Sequence, residues 1–489
     1  MNNHDYQVTD EYLDKFRARS YNDDLLPKQP SKRTMSGKNY FTLWMGSIHN
    51  IPNYAAVGGF LFLGLSPIHV IFALILSSLS VAVFMFLNGV AGSKYGIPFS
   101  MHLRSTYGDL GAKLPGFLRG CVAAIAWFGL QNYTGSLALL ILIGKIRPDF
   151  LTLGGDWNFM GISLPGLISF TVFWALNVLI GLGGGKILNK FTAVLSPLIY
   201  IVFGAMAIWA VRGAGGIGTI LAYDTAGASQ NINPLFVYFM IMNSVLAVWA
   251  APGASVSDFT QNAKSTKDQM FGQMAGLLIG YTVFAFISVL ILIGGSIRYG
   301  IQEWNVLNII DRWDNMPAVI SVMIVFLLTT ISTNATGNII PAGYQLSALL
   351  PQKINYRKGV IIASIISFVI MPWKLMENSS SIYIFLNSIG AVLGPVAGVM
   401  IAHFYFIEKQ NINLDKLYMD LKEDNSKNPY KGINKQSYIA TIAALVLCLS
   451  GQFIPSLKVI SNVSWIIGFF SAFALYLILK RIALKKQNN

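Results

Sequence analysis

Only 11% of the 489 residues are charged and 54% are hydrophobic, whereas a soluble domain carries about 25% charge, so a set of two or three soluble domains is excluded although the length would allow it. The net charge of +14 is scattered over short segments beside apolar runs, which speaks for membrane topology and anionic headgroups and against a nucleic-acid partner. Cys121 and Cys448 both sit in apolar runs, so neither a disulfide framework nor a cysteine metal site follows.

Residues 1–40 are polar, mixed in charge and without an apolar period; they read as a tail on the cytoplasmic surface and not as a cleavable signal peptide. From Phe41 onward, apolar runs of about 20 residues, the length that crosses a bilayer, recur to the C-terminus. The runs predict an all-α polytopic membrane protein with about twelve spans, at roughly 41–65, 67–91, 116–144, 160–182, 188–211, 233–256, 271–296, 317–349, 359–373, 380–406, 437–455 and 460–480. With the N-terminus inside, 28 of the 35 Lys and Arg residues fall on the inner side, among them Lys28, Arg33, Lys94, Arg104, Arg119 and Lys480. Both termini are then cytoplasmic, as expected for a multi-pass protein of the inner, or plasma, membrane. A loop at 407–436 with mixed charge, Asn and Pro separates ten spans from the last two (437–480), and residues 481–489 form a C-terminal tail. The stretch GLGGGK at 181–186 lacks the spacing of a phosphate loop and reads as a turn between helices.

Two spans are interrupted. The first contains WMGSIHNIPNYAAVGG, with Pro52 and the pair Gly58 and Gly59; the sixth contains AVWAAPGASVSDF, with Pro252 and Gly253. Proline removes a backbone donor and clashes with the preceding turn, and opened backbone is tolerated at membrane depth only where it lines a cavity or binds something. The breaks fall five spans apart, so the second copy enters from the opposite side. That predicts an inverted repeat, 41–211 and 233–406, with helices one and six broken around a site near the midplane. The alternative is an ordinary proline kink in each.

The third span carries WFGLQN, which puts Trp127 and Gln131 four residues apart on one helical face. An indole supplies a stacking plane and a primary amide supplies two donors and an acceptor, a clamp for a planar amide. Trp249, three residues before Pro252, offers a second plane, and Asn50, two before Pro52, a ligand amide or a cap on the opened helix, a role that does not exclude ligand contact. In the eighth span, TTISTNATGNIIP, the hydroxyls of Thr329, Ser332 and Thr333 share a face and suit a hard cation. Freed carbonyls near Gly46 and His49 would complete a sodium shell. Asn338, further along, is an amide that is costly in lipid unless paired. His49 reads as a hydrogen-bonded pocket residue or a proton carrier; His69 and His403 read as local packing.

Acidic and basic groups are almost absent from the spans, which argues for a neutral solute. In fixed order, WMGSIHNIPNY, GIPFSMHLRSTYGDLGAKLPGFLR leading into WFGLQN, AVWAAPG and STNATGN resemble the nucleobase cation symporter family, first type, and most closely its bacterial allantoin permeases. The resemblance covers spans one to ten. It implies a leucine-transporter-like fold of five plus five inverted helices plus two, and alternating access. It also implies a stacking pair in Trp127 and Trp249, polar contacts from Asn50, Gln131 and Asn338, and a sodium site at Gly46, His49, Thr329, Ser332 and Thr333. The hydantoin carrier of the family has alanine at the position of Thr329 and glutamine at that of Asn50, and sodium and proton coupling both stay open. The expected substrate is allantoin or a related neutral ureide or hydantoin. A uracil, cytosine or purine carrier is the alternative within the family, and a membrane solute sensor the alternative outside it. No nucleophile with a base appears in a span, so an enzyme is not expected. Apart from the coupling ion no cofactor is expected, and apart from lipid no obligate partner.

Overall fold

The computed structural model describes residues 8–225, 233–376, 379–420 and 427–488. Eight helical segments among them are long and apolar enough to cross a membrane. One, Leu164–Gly213, is a 50-residue segment turned at Gly184 (φ 63°, ψ −164°). Glycine alone takes that conformation without strain, so the Gly-rich stretch read as a turn joins the fourth and fifth expected spans at this one residue. The first and ninth spans are built from shorter helices, Gly37–Ile48 with Ile51–Leu61 and Tyr356–Val369, and the tenth from the 24-residue helix Ser379–Ala402.

The first span breaks at His49 and Asn50. Asn50 is extended (φ −124°, ψ 161°), and its Oδ1 accepts the Asn53 N–H at 3.0 Å, capping the second half. Pro52 stands in the first turn of that half, where its missing N–H has no intrahelical acceptor to lose. The sixth span differs from expectation. Its helix, Pro234–Ala254, continues through Pro252 and Gly253 and ends at Ser255 (φ −99°, ψ 19°), before a short turn, Ser257–Thr260. Proline near the end of a helix removes one hydrogen bond, here to the Val248 carbonyl, without stopping the remaining turn. Asn88 Nδ2, on the second span, instead donates to the Gly253 and Ala254 carbonyls, both at 2.8 Å, and so accepts the helix end where it lies.

The third and eighth spans each contain a π turn, Leu118–Ala123 and Ala335–Ile339. Such turns insert a residue and re-aim the side chains around them. The first half of span one lies against span seven, Thr266–Tyr299, with almost nothing between the backbones. A Cβ on Gly272 would fall 2.1 Å from the Gly37 carbonyl oxygen, and one on Gly276 2.8 Å from that of Phe41.

The described part of the N-terminal tail is folded, not solvated. Helix Asp10–Ala18 buries Leu13 and Phe16, and with Tyr21 and Leu25 they join Tyr95, Phe404, Leu414 and Tyr418 in one apolar cluster. Phe16 stacks on Tyr418 at 4.5 Å. Arg19 donates to the Asp415 carboxylate at 3.0 Å and to the Tyr418 carbonyl at 2.8 Å. The 407–436 segment, read as a linker, thus supplies a third of that cluster. The apolar residues of the tail are too few and too widely spaced to show a period, because their partner lies some 400 residues away in the chain, as the Tyr21 hydroxyl to Met419 carbonyl bond shows.

Gly272→Leu is expected to lower the melting temperature of the detergent-solubilised protein by several degrees, overpacking of this kind costing about 1–3 kcal/mol. Gly59→Leu, which meets open space, should leave it unchanged.

Candidate functional site

The two helix ends, span three and the π turn of span eight enclose a cavity of about 300 Å³. Asn50, Trp127, Gln131, Trp249 and Asn338, the five residues expected to contact a ligand, all line it. Among the described residues no Asp, Glu, Lys or Arg does so.

The five do not play equal parts. Trp249 is 4% exposed, and its indole N–H donates to the Tyr281 hydroxyl, so the ring rather than the donor is left for a ligand. Trp44, which sequence reasoning missed, forms a third aromatic wall; it meets Trp249 edge-on at 5.7 Å and donates its indole N–H to Gln273 Oε1 at 3.1 Å. No local signal distinguishes Trp44 from a packed tryptophan until the break five residues on is known to turn inward. Gln131 Oε1 is buried without a protein partner. Asn338 spends one N–H on Asn334 Oδ1 at 2.8 Å.

Asn50 lines the cavity but its side chain is committed to the break. Nδ2 donates to the Ser47 carbonyl at 3.0 Å and to Thr333 Oγ1 at 3.3 Å, while Oδ1 serves Asn53. The geometry fills the cap role expected from the sequence, which does not exclude ligand contact.

The residues expected to hold a cation gather around the first break, with Thr333 also lining the cavity. A Cβ on Gly46 would lie 3.6 Å from Ser332 Oγ and 3.5 Å from Ser196 Oγ, so the missing side chain brings span one close to the hydroxyls of spans five and eight. Ser332 Oγ is buried with no partner. Thr333 Oγ1 lies 3.0 Å from the Ser47 carbonyl and 3.0 Å from that of Thr329, while Thr329 Oγ1 donates to the Phe326 carbonyl at 3.0 Å. An unpaired buried hydroxyl beside a freed helix end fits a hard cation, which neutral oxygens bind. The His49 ring is packed face to face on Phe203 at 5.2 Å and edge-on to Phe284 at 5.2 Å, with Nδ1 3.2 Å from the Tyr54 hydroxyl. The ring is packed among aromatic side chains and does not line the cavity.

Arg119 was counted among the inner-side charges, but the structure buries it completely. Its guanidinium donates to the Ala251 carbonyl at 2.6 Å, to Ser255 Oγ at 2.9 Å and to the Gly337 carbonyl at 2.8 Å. Ala251 and Gly337 both line the cavity, so one side chain clamps two of its walls. A cation at a helix C-terminus is favoured by the dipole as well. Beyond the helix end, Asp258 accepts the Phe99 N–H at 2.9 Å. Burial pushes its carboxyl up to about 7, against the pull of that N–H and of the Arg119 and Lys28 charges.

Arg119→Leu is expected to lower the melting temperature by ten degrees or more, since each hydrogen bond to a charged donor contributes about 1.5–3 kcal/mol. Lys113→Leu, at an exposed position one turn and a half earlier, is the control that should change little.

With this geometry in hand, comparison with known proteins gives a consistent result. The family model described as a permease for cytosine/purines, uracil, thiamine and allantoin matches residues 27–468. The chain is 55% identical over 470 residues to the "Putative allantoin permease" of Escherichia coli K12, covering 95% of this chain and 96% of that one. It is 38% identical over 465 residues to the allantoin permease of Bacillus subtilis 168, covering 95% and 94%. Among solved structures it matches Mhp1, a nucleobase-cation-symport-1 family transporter in a closed conformation with bromovinylhydantoin bound, with a TM-score of 0.77 at 20% identity over 95% of this chain and 96% of that one.

Proposed function

Because the chain belongs to the family of permeases for cytosine/purines, uracil, thiamine and allantoin, we propose that it is a secondary active transporter importing allantoin, or a related neutral ureide or hydantoin, in symport with a cation. Membership makes it a multi-pass membrane transporter and not an enzyme. The substrate reading rests on one observation above the rest: a cavity without a formal charge among the described residues, walled by indole rings and offering the amides of Gln131 and Asn338. A planar ring gains stacking area on Trp127 and Trp249. Its N–H groups relieve the buried Gln131 oxygen, which costs about 1–3 kcal/mol while unsatisfied. An ionised solute would find no counter-charge there and would lose its hydration. The two permeases named for allantoin support the same class, as does the hydantoin bound in Mhp1.

In this reading the coupling ion is sodium, held as co-substrate by the Ser332 and Thr333 hydroxyls, the Gly46 and His49 carbonyls and Thr329. Residues 41–211 and 233–406 act as the two inverted repeats, which alternate access to the cavity. The termini lie in the cytoplasm and the protein works in the inner membrane without an obligate protein partner. A nucleobase presents similar edges to the same two amides, and the family description includes cytosine, purines and uracil, so a base carrier is the second reading.

Uptake of labelled allantoin into proteoliposomes is expected to require an inward sodium gradient. Strong competition by uracil with none by hydantoin would favour the base carrier, and binding without uptake would favour a sensor. Trp127→Ala should abolish detectable binding, the stacking face contributing about 1 kcal/mol beyond its area; unchanged affinity in the folded variant would remove the pocket from consideration. Ser332→Ala should raise the sodium concentration for half-maximal uptake about tenfold by deleting one hydroxyl of the ion shell. If that concentration does not move, the ion is not held there.

A further inference from the structure

Two asparagines in the motifs of spans three and eight, Asn132 in WFGLQN and Asn334 in STNATGN, have no place in the site as described so far. Both are fully buried, and neither lines the cavity. Asn334 Nδ2 donates to the Phe128 carbonyl at 3.2 Å and to Asn132 Oδ1 at 3.1 Å. Asn334 Oδ1 accepts from Asn338 Nδ2 at 2.8 Å. The three amides therefore form a chain from span three to the cavity wall.

The direction of this chain is not a free choice. An asparagine amide looks almost the same turned over, and its orientation follows only from its partners. A backbone carbonyl, however, can only accept, so Phe128 fixes which end of Asn334 is nitrogen. Both N–H groups of Asn334 are then spent, and its oxygen must face Asn338. Turning Asn338 over would set oxygen against oxygen, so Asn338 also has one permitted orientation. It keeps both lone pairs of Oδ1 and a single N–H, with no donor to Oδ1 among the described residues.

We propose that Asn334, anchored on the Phe128 carbonyl and Asn132, is a positioning residue that locks the polarity of Asn338, so that the cavity reads a lactam edge, an N–H beside a C=O, and rejects rings in which that N–H is missing. The inference rests on the substrate reading above and narrows it: the recognised chemistry is the ring N–H itself, not flatness or size. With Asn334 removed, Asn338 turns freely and pairs with a donor or an acceptor alike, and that selectivity disappears.

The test compares hydantoin with two near-isosteres, succinimide, in which one ring N–H is replaced by CH₂, and 3-methylhydantoin, in which the other is blocked. Affinities are measured by tryptophan fluorescence on the purified full-length protein. The wild type should favour hydantoin over at least one analogue by about tenfold or more, the cost of leaving a buried acceptor unpaired. In Asn334→Ala the hydantoin affinity should fall while that for the disfavoured analogue stays, so that the preference shrinks towards one. A purely structural role would weaken both ligands together and keep their ratio, and that result overturns the proposal. Should the alanine variant fail to fold, Asn334→Ser decides in the same way. Its hydroxyl satisfies itself on the helix backbone and imposes no direction on Asn338. If the wild type binds none of the three rings, the substrate reading falls and takes this inference with it. If the wild type discriminates and the variants do so equally, the inference alone falls.

Discussion

Inside a bilayer a backbone carbonyl without a donor has no water to turn to, and each helix that ends or opens there must find a side chain for every group it frees. Much of this molecule is arranged around that requirement. The opened end of span one gives its Ser47 and Ile48 carbonyls to Asn50, Thr333 and Asn53. The end of span six gives its carbonyls to Asn88 and Arg119. The residues doing this come from span one itself and from spans two, three and eight, so the groups that repair the breaks also hold the cavity walls together. Fold and site share one set of hydrogen bonds.

The same constraint explains what the sequence could and could not tell. Apolar runs, Pro52, and Trp127 with Gln131 at helical spacing are local patterns, and they suffice to find the all-helical membrane fold, the first break and five residues around the cavity. Arg119 and Asn88 were invisible because their partners are carbonyls more than a hundred residues away, and a carbonyl leaves no mark in a sequence. Arg119 also sits at the foot of its span, where a basic residue is the ordinary sign of topology. The opening of span six was placed three residues early because proline marks a lost bond, not where the chain turns; the turn is set by Asn88. The bonds that tie Asn50 to the break depend on the positions of Ser47, Asn53 and Thr333, the last of them far away in the chain.

A cavity lined by indoles and primary amides recognises by shape and hydrogen-bond polarity, without the long reach of charge. Such a site is selective only if its amides are held in one orientation, because a rotating amide accepts and donates with equal ease. The buried amides behind the visible wall, and the π turns that aim them, supply that rigidity from side chains that never touch the cavity.

The folded tail has a mechanical consequence. Between Phe16 and Arg33 it stacks on Tyr418 and bonds to the Pro351 carbonyl, to Asn262 and to the Ser93 carbonyl, which belong to three separate connections between spans and to the end of the second span. A single strand of peptide is thus pinned at four places that lie far apart in the chain, and it ties them together by contacts that do not involve the cavity.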